Sequence, residues 1–390
     1  MKKVAILQRE IPHYRVRFFE EVSAQAFAMG LDVTVYSSGE EFSENTPKFA
    51  RRNLSIHRFT RNKKGPFWMK GLTAALNGTD IIVAPQELQC VNVPYLWAIR
   101  HRLCTSWIWW GHGYNSQASV RPSISTIIKE SVKRFMTRRT DGVITYTASG
   151  AVYWRQQGLS EDHVIPYYNT LDVKELRMAR AEISEQQLIE LSNKFTLKGK
   201  RVLIFSGRLY AGKRVDFLLK AFAILKRTYP GVVLLIIGDG EKRCELEQLA
   251  GELKLTNVHF LGELLDPKDT AAYFSLADLM VIPAMVGLAI VHGFAFGLPL
   301  ITTDAPGHGP EIEYLTPENG VLTLQNEQLY SDEILTLLNS PAKLTAMRKN
   351  AEDQSIRLHL DRSAARFLSA ITHFSKPQLI KHAIRSCLKH

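Results

Sequence analysis

Residues 206–214 have the sequence SGRLYAGKR, and the stretch lies where a predicted buried strand ends and an amphipathic helix begins. Its glycines, Gly207 and Gly212, allow a tight loop whose backbone amides, with the start of the helix, can face an anion. Arg208 and Lys213 add a planar fork and a point charge, a pair that suits a diphosphate. A solvated basic loop is the alternative that this local chemistry leaves open. The glycine spacings of a Walker loop or a dinucleotide fingerprint are absent.

Short apolar strands alternate with helical stretches on both sides of this loop. The second half repeats the pattern between residues 202 and 302, and the first half opens with strands at 4–8 and 33–37 around a helix. The pattern predicts an α/β protein with two doubly wound, Rossmann-like domains and a cleft at the carboxyl ends of their strands. We place the boundaries as follows: a first domain at 1–170, a linker region at 171–198, a second domain at 199–372 and a basic amphipathic tail at 373–390.

Length and charge restrict the class of protein. The 390 residues exceed what one hydrophobic core usually organises, and the net charge of +11 comes mostly from the first 170 residues. This asymmetry suits an anionic membrane surface or a phosphorylated substrate. No nucleic-acid-binding module accompanies the charge, so no nucleic acid partner is predicted. With no spanning segment, no signal peptide and no Cys-x-x-Cys pair, the sequence predicts a cytoplasmic protein without a cysteine metal site.

Further motifs follow the basic loop in a recognisable order. They are LLIIGDG at 234–240, VHFLG at 258–262, Ala277-Asp278-Leu279 with Pro283, and FGLPLI at 296–301. In order and spacing they resemble the family-four glycosyltransferases, which are retaining, nucleotide-sugar-dependent enzymes of the GT-B fold. The N-terminal half is similar more loosely, to a bacterial surface-polysaccharide branch of that family. The resemblance implies an acceptor-binding first domain and a donor-binding second domain, with a C-terminal helix that returns to the first domain or lies on a membrane.

The resemblance also implies roles for the residues of the loop. Arg208 and Lys213 would hold the donor diphosphate and stabilise the leaving nucleotide, with Gly207 beside them. Preplaced cations can stabilise this developing charge without a divalent ion, so we predict no metal and no other cofactor. Gly287 and Leu288 retain the family's donor-binding frame and are expected at the donor.

Two positions depart from the family. Most members carry two glutamates eight residues apart, one contacting the donor sugar and one the ribose, where this chain has Ala284 and His292. His292 keeps the capacity to bind a ribose hydroxyl, and Glu311, in a glycine-rich loop, is our candidate to replace part of the lost recognition. The alternative for Glu311 is a carboxylate that stabilises a helix N-terminus. The double loss leaves a catalytically silent nucleotide-binding protein as the alternative function.

The first half contributes three candidate residues. His112 follows a strand in WWGHG, and this position, with the family's habit of placing a histidine there, predicts contact with the transferred sugar. The alternative is a structural histidine. His13 and Arg15 follow the first strand and are expected to face the phosphate or sugar of the acceptor, unless Pro12 marks an ordinary turn.

Basic residues interleaved with apolar ones predict attachment to an anionic leaflet, with a solvated basic face as the alternative. They lie at 51–64 and on the helix that carries Lys129, Lys133, Arg134, Arg138 and Arg139. We therefore predict a hexosyltransferase-type enzyme, peripheral on the inner face of the cytoplasmic membrane. It would transfer a sugar, with retention, from a nucleotide-diphosphate sugar to a lipid-linked oligosaccharide or lipopolysaccharide precursor, as in O-antigen biosynthesis.

Overall fold

A computed structural model describes residues 1–39, 47–61, 65–113 and 124–375. The described chain forms two compact units, the first made of residues 1–113, 124–168 and 361–375 and the second of residues 169–360. Of the predicted basic patch, Lys63 and Lys64 lie outside the described residues, as do residues 376–390 of the tail. In the part of the chain described here, no helix combines the length and the apolar character needed to cross a bilayer.

The first unit is built on a parallel sheet of seven strands in the order β3-β2-β1-β6-β7-β8-β9, with a small antiparallel pair, β4 and β5, beside it. The strands are β1 (Lys2–Leu7), β2 (Leu31–Ser37), β3 (Arg51–Asn53), β4 (Ile56–Arg58), β5 (Phe67–Met69), β6 (Ile81–Pro85), β7 (Ser106–Gly111), β8 (Gly142–Thr145) and β9 (Val164–Pro166). The helices are α1 (His13–Ala26), α2 (Leu72–Ala75), α3 (Asn92–Ala98), α4 (Arg100–Leu103), α5 (Ile124–Thr137) and α6 (Ala148–Gln156).

The second unit has a parallel sheet of six strands in the order β12-β11-β10-β13-β14-β15. The strands are β10 (Arg201–Ser206), β11 (Val232–Ile237), β12 (Val258–Gly262), β13 (Leu279–Val281), β14 (Leu300–Thr303) and β15 (Gly320–Thr323). The helices are α7 (Val173–Ala181), α8 (Glu185–Lys194), α9 (Val215–Thr228), α10 (Arg243–Glu252), α11 (Pro267–Leu276), α12 (Ala289–Ala295), α13 (Glu327–Leu338) and α14 (Pro341–Arg357). A last helix, α15 (Leu360–Phe374), follows.

Both sheets consist of continuous apolar strands because parallel sheets are covered by helices on both faces. Every residue of β7 is buried, including three tryptophans, and every residue of β11 is buried as well. Such sheets place functional loops at the carboxyl ends of their strands. The two doubly wound sheets agree with the fold class that the sequence predicts.

The C-terminal helix α15 belongs to the first unit, and the predicted second domain ending at residue 372 was wrong in this respect. The Phe367 ring is fully buried, with its centroid 5.4 Å from that of Phe18, 4.9 Å from Trp110 and 5.5 Å from Tyr167. Gly142 leaves the space that the ring of Phe374 occupies. Periodicity shows that such a helix is amphipathic but does not identify the sheet that covers it.

The predicted linker at 171–198 is also corrected, because these residues belong to the second unit. Asp172 caps α7, Ser184 caps α8 in a capping box, and both helices pack on α11. The ion pair between Lys268 and Glu182, at 3.0 Å, ties the end of α7 to α11. The polar composition that indicated a linker is the outer face of this helical pair.

Candidate active site

The loop after β10 packs directly on the loop after β11. Gly207 has φ 153° and Gly238 has φ 132°, both in the region that favours glycine. A Cβ on Gly238 would overlap the carbonyl oxygen of Gly207, so the two backbones meet without side chains between them. The glycines therefore allow a close approach at the carboxyl edge of the second sheet.

Lys213 is the buried cation of this edge. It is 9% exposed, and its Nζ donates a hydrogen bond to the carbonyl oxygen of Met285 at 2.6 Å. Its side chain passes over Gly207, where an added Cβ would lie 3.3 Å from the lysine Cε. Burial lowers the pKa of Lys213 to about 8. Within the described residues neither Lys213 nor the exposed Arg208 forms an ion pair, so both charges are available to an anion.

The loop at Gly287 approaches the loop that carries Glu311. A Cβ on Gly309 would lie 2.9 Å from the Gly287 Cα and 2.6 Å from a carboxylate oxygen of Glu311. Glu311 is 3% exposed, and its other carboxylate oxygen accepts a hydrogen bond of 2.6 Å from the Asn169 side chain. The bond from Lys213 to the Met285 carbonyl places the Gly207 loop next to the loop at Gly287, and therefore near Glu311. Leu288 follows at the start of α12.

His308 connects these loops. Its Nδ1 accepts a hydrogen bond from the Val286 amide at 3.2 Å, and its Nε2 lies 2.8 Å from the Thr303 carbonyl oxygen, to which it donates in the neutral tautomer. Burial lowers the pKa of His308, which favours this neutral form. The sequence analysis did not select His308 or Met285, and only the glycines on either side of His308 signalled a functional loop.

The two positions that depart from the family lie in apolar surroundings. Ala284 is buried, and the His292 ring stacks on Phe274 with a centroid distance of 4.2 Å and an angle of 6°. The His292 Nε2 is buried and has no hydrogen-bond partner in the described part of the molecule. Burial lowers the pKa of His292 to about 4, so the ring is neutral at physiological pH.

Arg15 is a buried cation at the corresponding edge of the first sheet. It is 7% exposed, donates to the Tyr146 hydroxyl at 2.5 Å and to the Gln8 side chain at 3.4 Å, and lies 4.6 Å over the Trp110 ring. Burial opposes its charge, but the hydroxyls of Tyr146, Tyr167 and Tyr14 raise the pKa of Arg15 above its ordinary value. No carboxylate lies within ion-pair distance of Arg15 among the described residues.

His112 lies next to this cation, and its ring centroid is 4.2 Å from that of Tyr146. His112 is exposed at the surface, and its pKa is lowered to about 4 because neighbouring protein partly desolvates the ring and the charges of Arg15 and Lys133 disfavour the imidazolium. The His112 backbone lies so close to Gly150 of α6 that a Cβ there would be 2.5 Å from its carbonyl oxygen. His13 is exposed at the start of α1.

The second unit is similar to known glycosyltransferases. Residues 189–354 match the family model of glycosyl transferases group 1. The matched segment lies within the second unit and covers less than half of the chain. The D-rhamnosyltransferase WbpZ of Pseudomonas aeruginosa is 29% identical over 160 residues, which are 40% of each chain. The chain spans about half the length of the curated relatives it matches.

Solved structures match nearly the whole chain. Anabaena HepE in complex with UDP and glucose superposes with a TM-score of 0.70 at 16% identity, covering 95% of this chain and 100% of HepE. WaaG, a glycosyltransferase involved in lipopolysaccharide biosynthesis, gives a TM-score of 0.62 at 16% identity, covering 95% of this chain and 99% of WaaG. The fold is therefore GT-B with two Rossmann-like domains, as the sequence predicted.

The lowered pKa of Lys213 predicts that a nucleoside diphosphate held by this lysine would bind with a pH-dependent affinity. Binding favours the protonated amine, so affinity is highest below pH 8 and falls up to about tenfold per pH unit above it. Calorimetric titration between pH 7 and 10 measures this dependence. Lys213→Arg keeps its charge throughout and should give a flat profile. A dissociation constant of the wild type that does not change with pH would contradict the assignment.

Two variants of Glu311 separate its bond to Asn169 from the donor recognition that the sequence predicts for it. Glu311→Gln retains an oxygen that accepts the Asn169 bond, whereas Glu311→Ala removes this acceptor from a buried amide at a cost of about 1–3 kcal/mol. We expect a lower Tm for the alanine variant alone. Because charged acceptors bind hydroxyls more strongly than amides do, the donor KM should rise about tenfold in both variants. An unchanged KM in Glu311→Gln would restrict Glu311 to a structural role.

Proposed function

We propose that the chain transfers a sugar from a nucleotide-diphosphate donor to a glycan acceptor, with the second unit binding the donor. The observation that carries the proposal is the buried Lys213, whose charge no carboxylate neutralises in the described structure, beside the exposed Arg208. A buried cation without a counter-ion is costly, and a bound diphosphate would offset that cost. HepE, which shares the fold, binds UDP and UDP-glucose, and this supports a uridine nucleotide as the first donor to test.

The chemistry we propose is a retaining, hexosyltransferase-type transfer. As the bond between the sugar and the diphosphate breaks, negative charge grows on the phosphate oxygens, and Arg208 and Lys213 would stabilise it without a metal or other cofactor. His112, neutral at physiological pH, would contact the transferred sugar through hydrogen bonds rather than charge. Gly207, Gly287 and Leu288 would border the donor. The burial of the His292 Nε2 against apolar surroundings disfavours the ribose contact that the sequence predicts for it.

We propose an anionic, lipid-linked acceptor. Arg15 and Lys133 place positive charge next to the neutral His112 at one edge of the first sheet, and in the described structure no carboxylate lies within ion-pair distance of Arg15. A phosphate on the acceptor would suit this edge, with His13 exposed beside it. WaaG is involved in lipopolysaccharide biosynthesis, and this supports a lipopolysaccharide precursor as the acceptor. We place the reaction at the inner face of the cytoplasmic membrane.

Thermal stabilisation by a panel of nucleoside diphosphates, without added metal, tests the donor proposal. A nucleotide at about a hundred times its dissociation constant should stabilise the domain by about 2.7 kcal/mol, or raise Tm by roughly 5–10 °C. Transfer or hydrolysis of the matching nucleotide sugar then tests the reaction. Stabilisation without either reaction would favour the silent nucleotide-binding alternative, which the absence of acids at Ala284 and His292 motivates.

A further inference from the structure

Helix α5 exposes an apolar face to solvent. Its exposed large apolar residues recur at spacings of three and four and are 40–78% exposed: Ile124, Ile127, Ile128, Val132 and Phe135. Residues at these spacings share one side of a helix, and a surface helix normally turns that side to the core. The buried residues of this helix are instead in its last turn, at Met136 and Thr137. A contiguous exposed apolar surface of this kind marks an interaction site.

Three arginines surround a depression at the C-terminal end of the same face. The depression has a volume of about 360 Å³ and is lined by Ser131, Arg134, Phe135, Arg138 and Arg139. In the described structure the hydrogen bonds of these arginines go to neutral groups. Arg138 donates twice to the Gln157 carbonyl oxygen, at 2.8 and 3.2 Å, and Arg134 donates to the Gln157 side chain at 3.3 Å.

The third arginine extends the apolar surface. The Arg139 guanidinium lies 3.9 Å over the Phe135 ring, which in turn lies 6.0 Å from the Trp97 ring. The Arg100 guanidinium lies 4.3 Å over the Trp97 ring, so both aromatic rings of this surface are covered by an arginine. Glu130, the acidic residue of α5, interacts instead with Lys133 and Tyr153. No ion pair with a carboxylate neutralises Arg134, Arg138 or Arg139 within the described residues.

We propose that α5 lies in the interface of an anionic bilayer, with its apolar face against acyl chains and with Arg134, Arg138 and Arg139 around a lipid headgroup phosphate. Guanidinium groups bind phosphate oxygens in pairs, and arginine stems lie along apolar surface while the charge stays at the headgroups. The positive charge selects an anionic lipid surface over a second copy of this basic chain. The inference deepens the membrane location proposed above, but neither donor binding nor transfer is needed to test it.

Sedimentation with phosphatidylglycerol-containing vesicles tests this surface. The full chain should bind them and should bind pure phosphatidylcholine vesicles far more weakly. Replacing Arg134, Arg138 and Arg139 by alanine should weaken binding about 100-fold, since each basic residue at an anionic surface contributes about fivefold. The matched control removes the same charge from exposed positions of the second unit, namely Lys220, Arg227 and Lys349, and should change binding less than threefold.

A second set of variants tests the apolar face. Serine at Ile124, Ile127 and Ile128 should abolish the vesicle binding that survives high salt. The same change at the equally exposed Leu265, Leu322 and Leu324 should have no effect. Because these side chains face solvent, Tm should be retained in both sets.

The proposal is overturned if the wild type does not bind anionic vesicles, if the control variants lose as much binding, or if the isoleucine variant dissociates a dimer without affecting vesicle binding. Nucleotide-induced stabilisation, measured in parallel, shows separately whether the donor site is intact.

Discussion

The double variant Arg208→Ala, Lys213→Met should lose transfer by at least about 10³-fold and should lose stabilisation by nucleoside diphosphate. Removing one group that stabilises developing charge typically lowers kcat by about 10²–10³-fold, and this variant removes both cations of the loop. Methionine preserves most of the Lys213 stem over Gly207 while it removes the charge. Initial rates with the nucleotide sugar and thermal shifts with the nucleotide measure the two losses.

Loss of folding would not account for this result. Burial lowers the pKa of Lys213 to about 8, which means that the folded protein disfavours the charged amine, so its removal should leave Tm unchanged or higher. The matched control is Lys220→Ala, Arg227→Ala, which removes the same charge from exposed positions of α9. The proposed donor site would be wrong if the control lost as much transfer activity and nucleotide stabilisation, or if the double variant kept near-normal transfer.

Phe367→Ala should have the largest effect on stability, about 3–5 kcal/mol, since it leaves a cavity where a fully buried ring contacts Phe18, Trp110 and Tyr167. We expect the first unit to unfold roughly 10 °C earlier. Tryptophan fluorescence reports this transition directly, because Trp110 lies against the deleted ring. Nucleotide-induced stabilisation of the second unit should persist.

The control for this prediction is Phe59→Ala, which removes an identical side chain that is 55% exposed in the same unit. An exposed ring contributes little burial, so Tm should change by less than about 2 °C. If Phe367→Ala unfolds like the control, α15 does not stabilise the first unit, and the reassignment of residues 361–375 would be wrong.

Much of the candidate site was visible in the sequence because its signals are local. Gly207 and Lys213 are six residues apart, between a strand and a helix that follow each other directly in the chain. The hydrogen-bond partners of the site residues could not be predicted from the sequence. Met285 holds Lys213 from 72 residues away, and Asn169 binds Glu311 from 142 residues away. His112 was selected for its position at the end of a strand, whereas its low pKa depends on Arg15 and Lys133.

The sequence by itself determined the two doubly wound sheets, since apolar periodicity and glycine placement depend only on neighbours along the chain. Only the tertiary structure decided that α15 packs on the first sheet, that His292 stacks on Phe274, and that the apolar face of α5 stays exposed. The physical reason is the same in each case. An apolar face requires burial but does not specify its partner, and the partner is determined by the packing of elements that are distant in the chain.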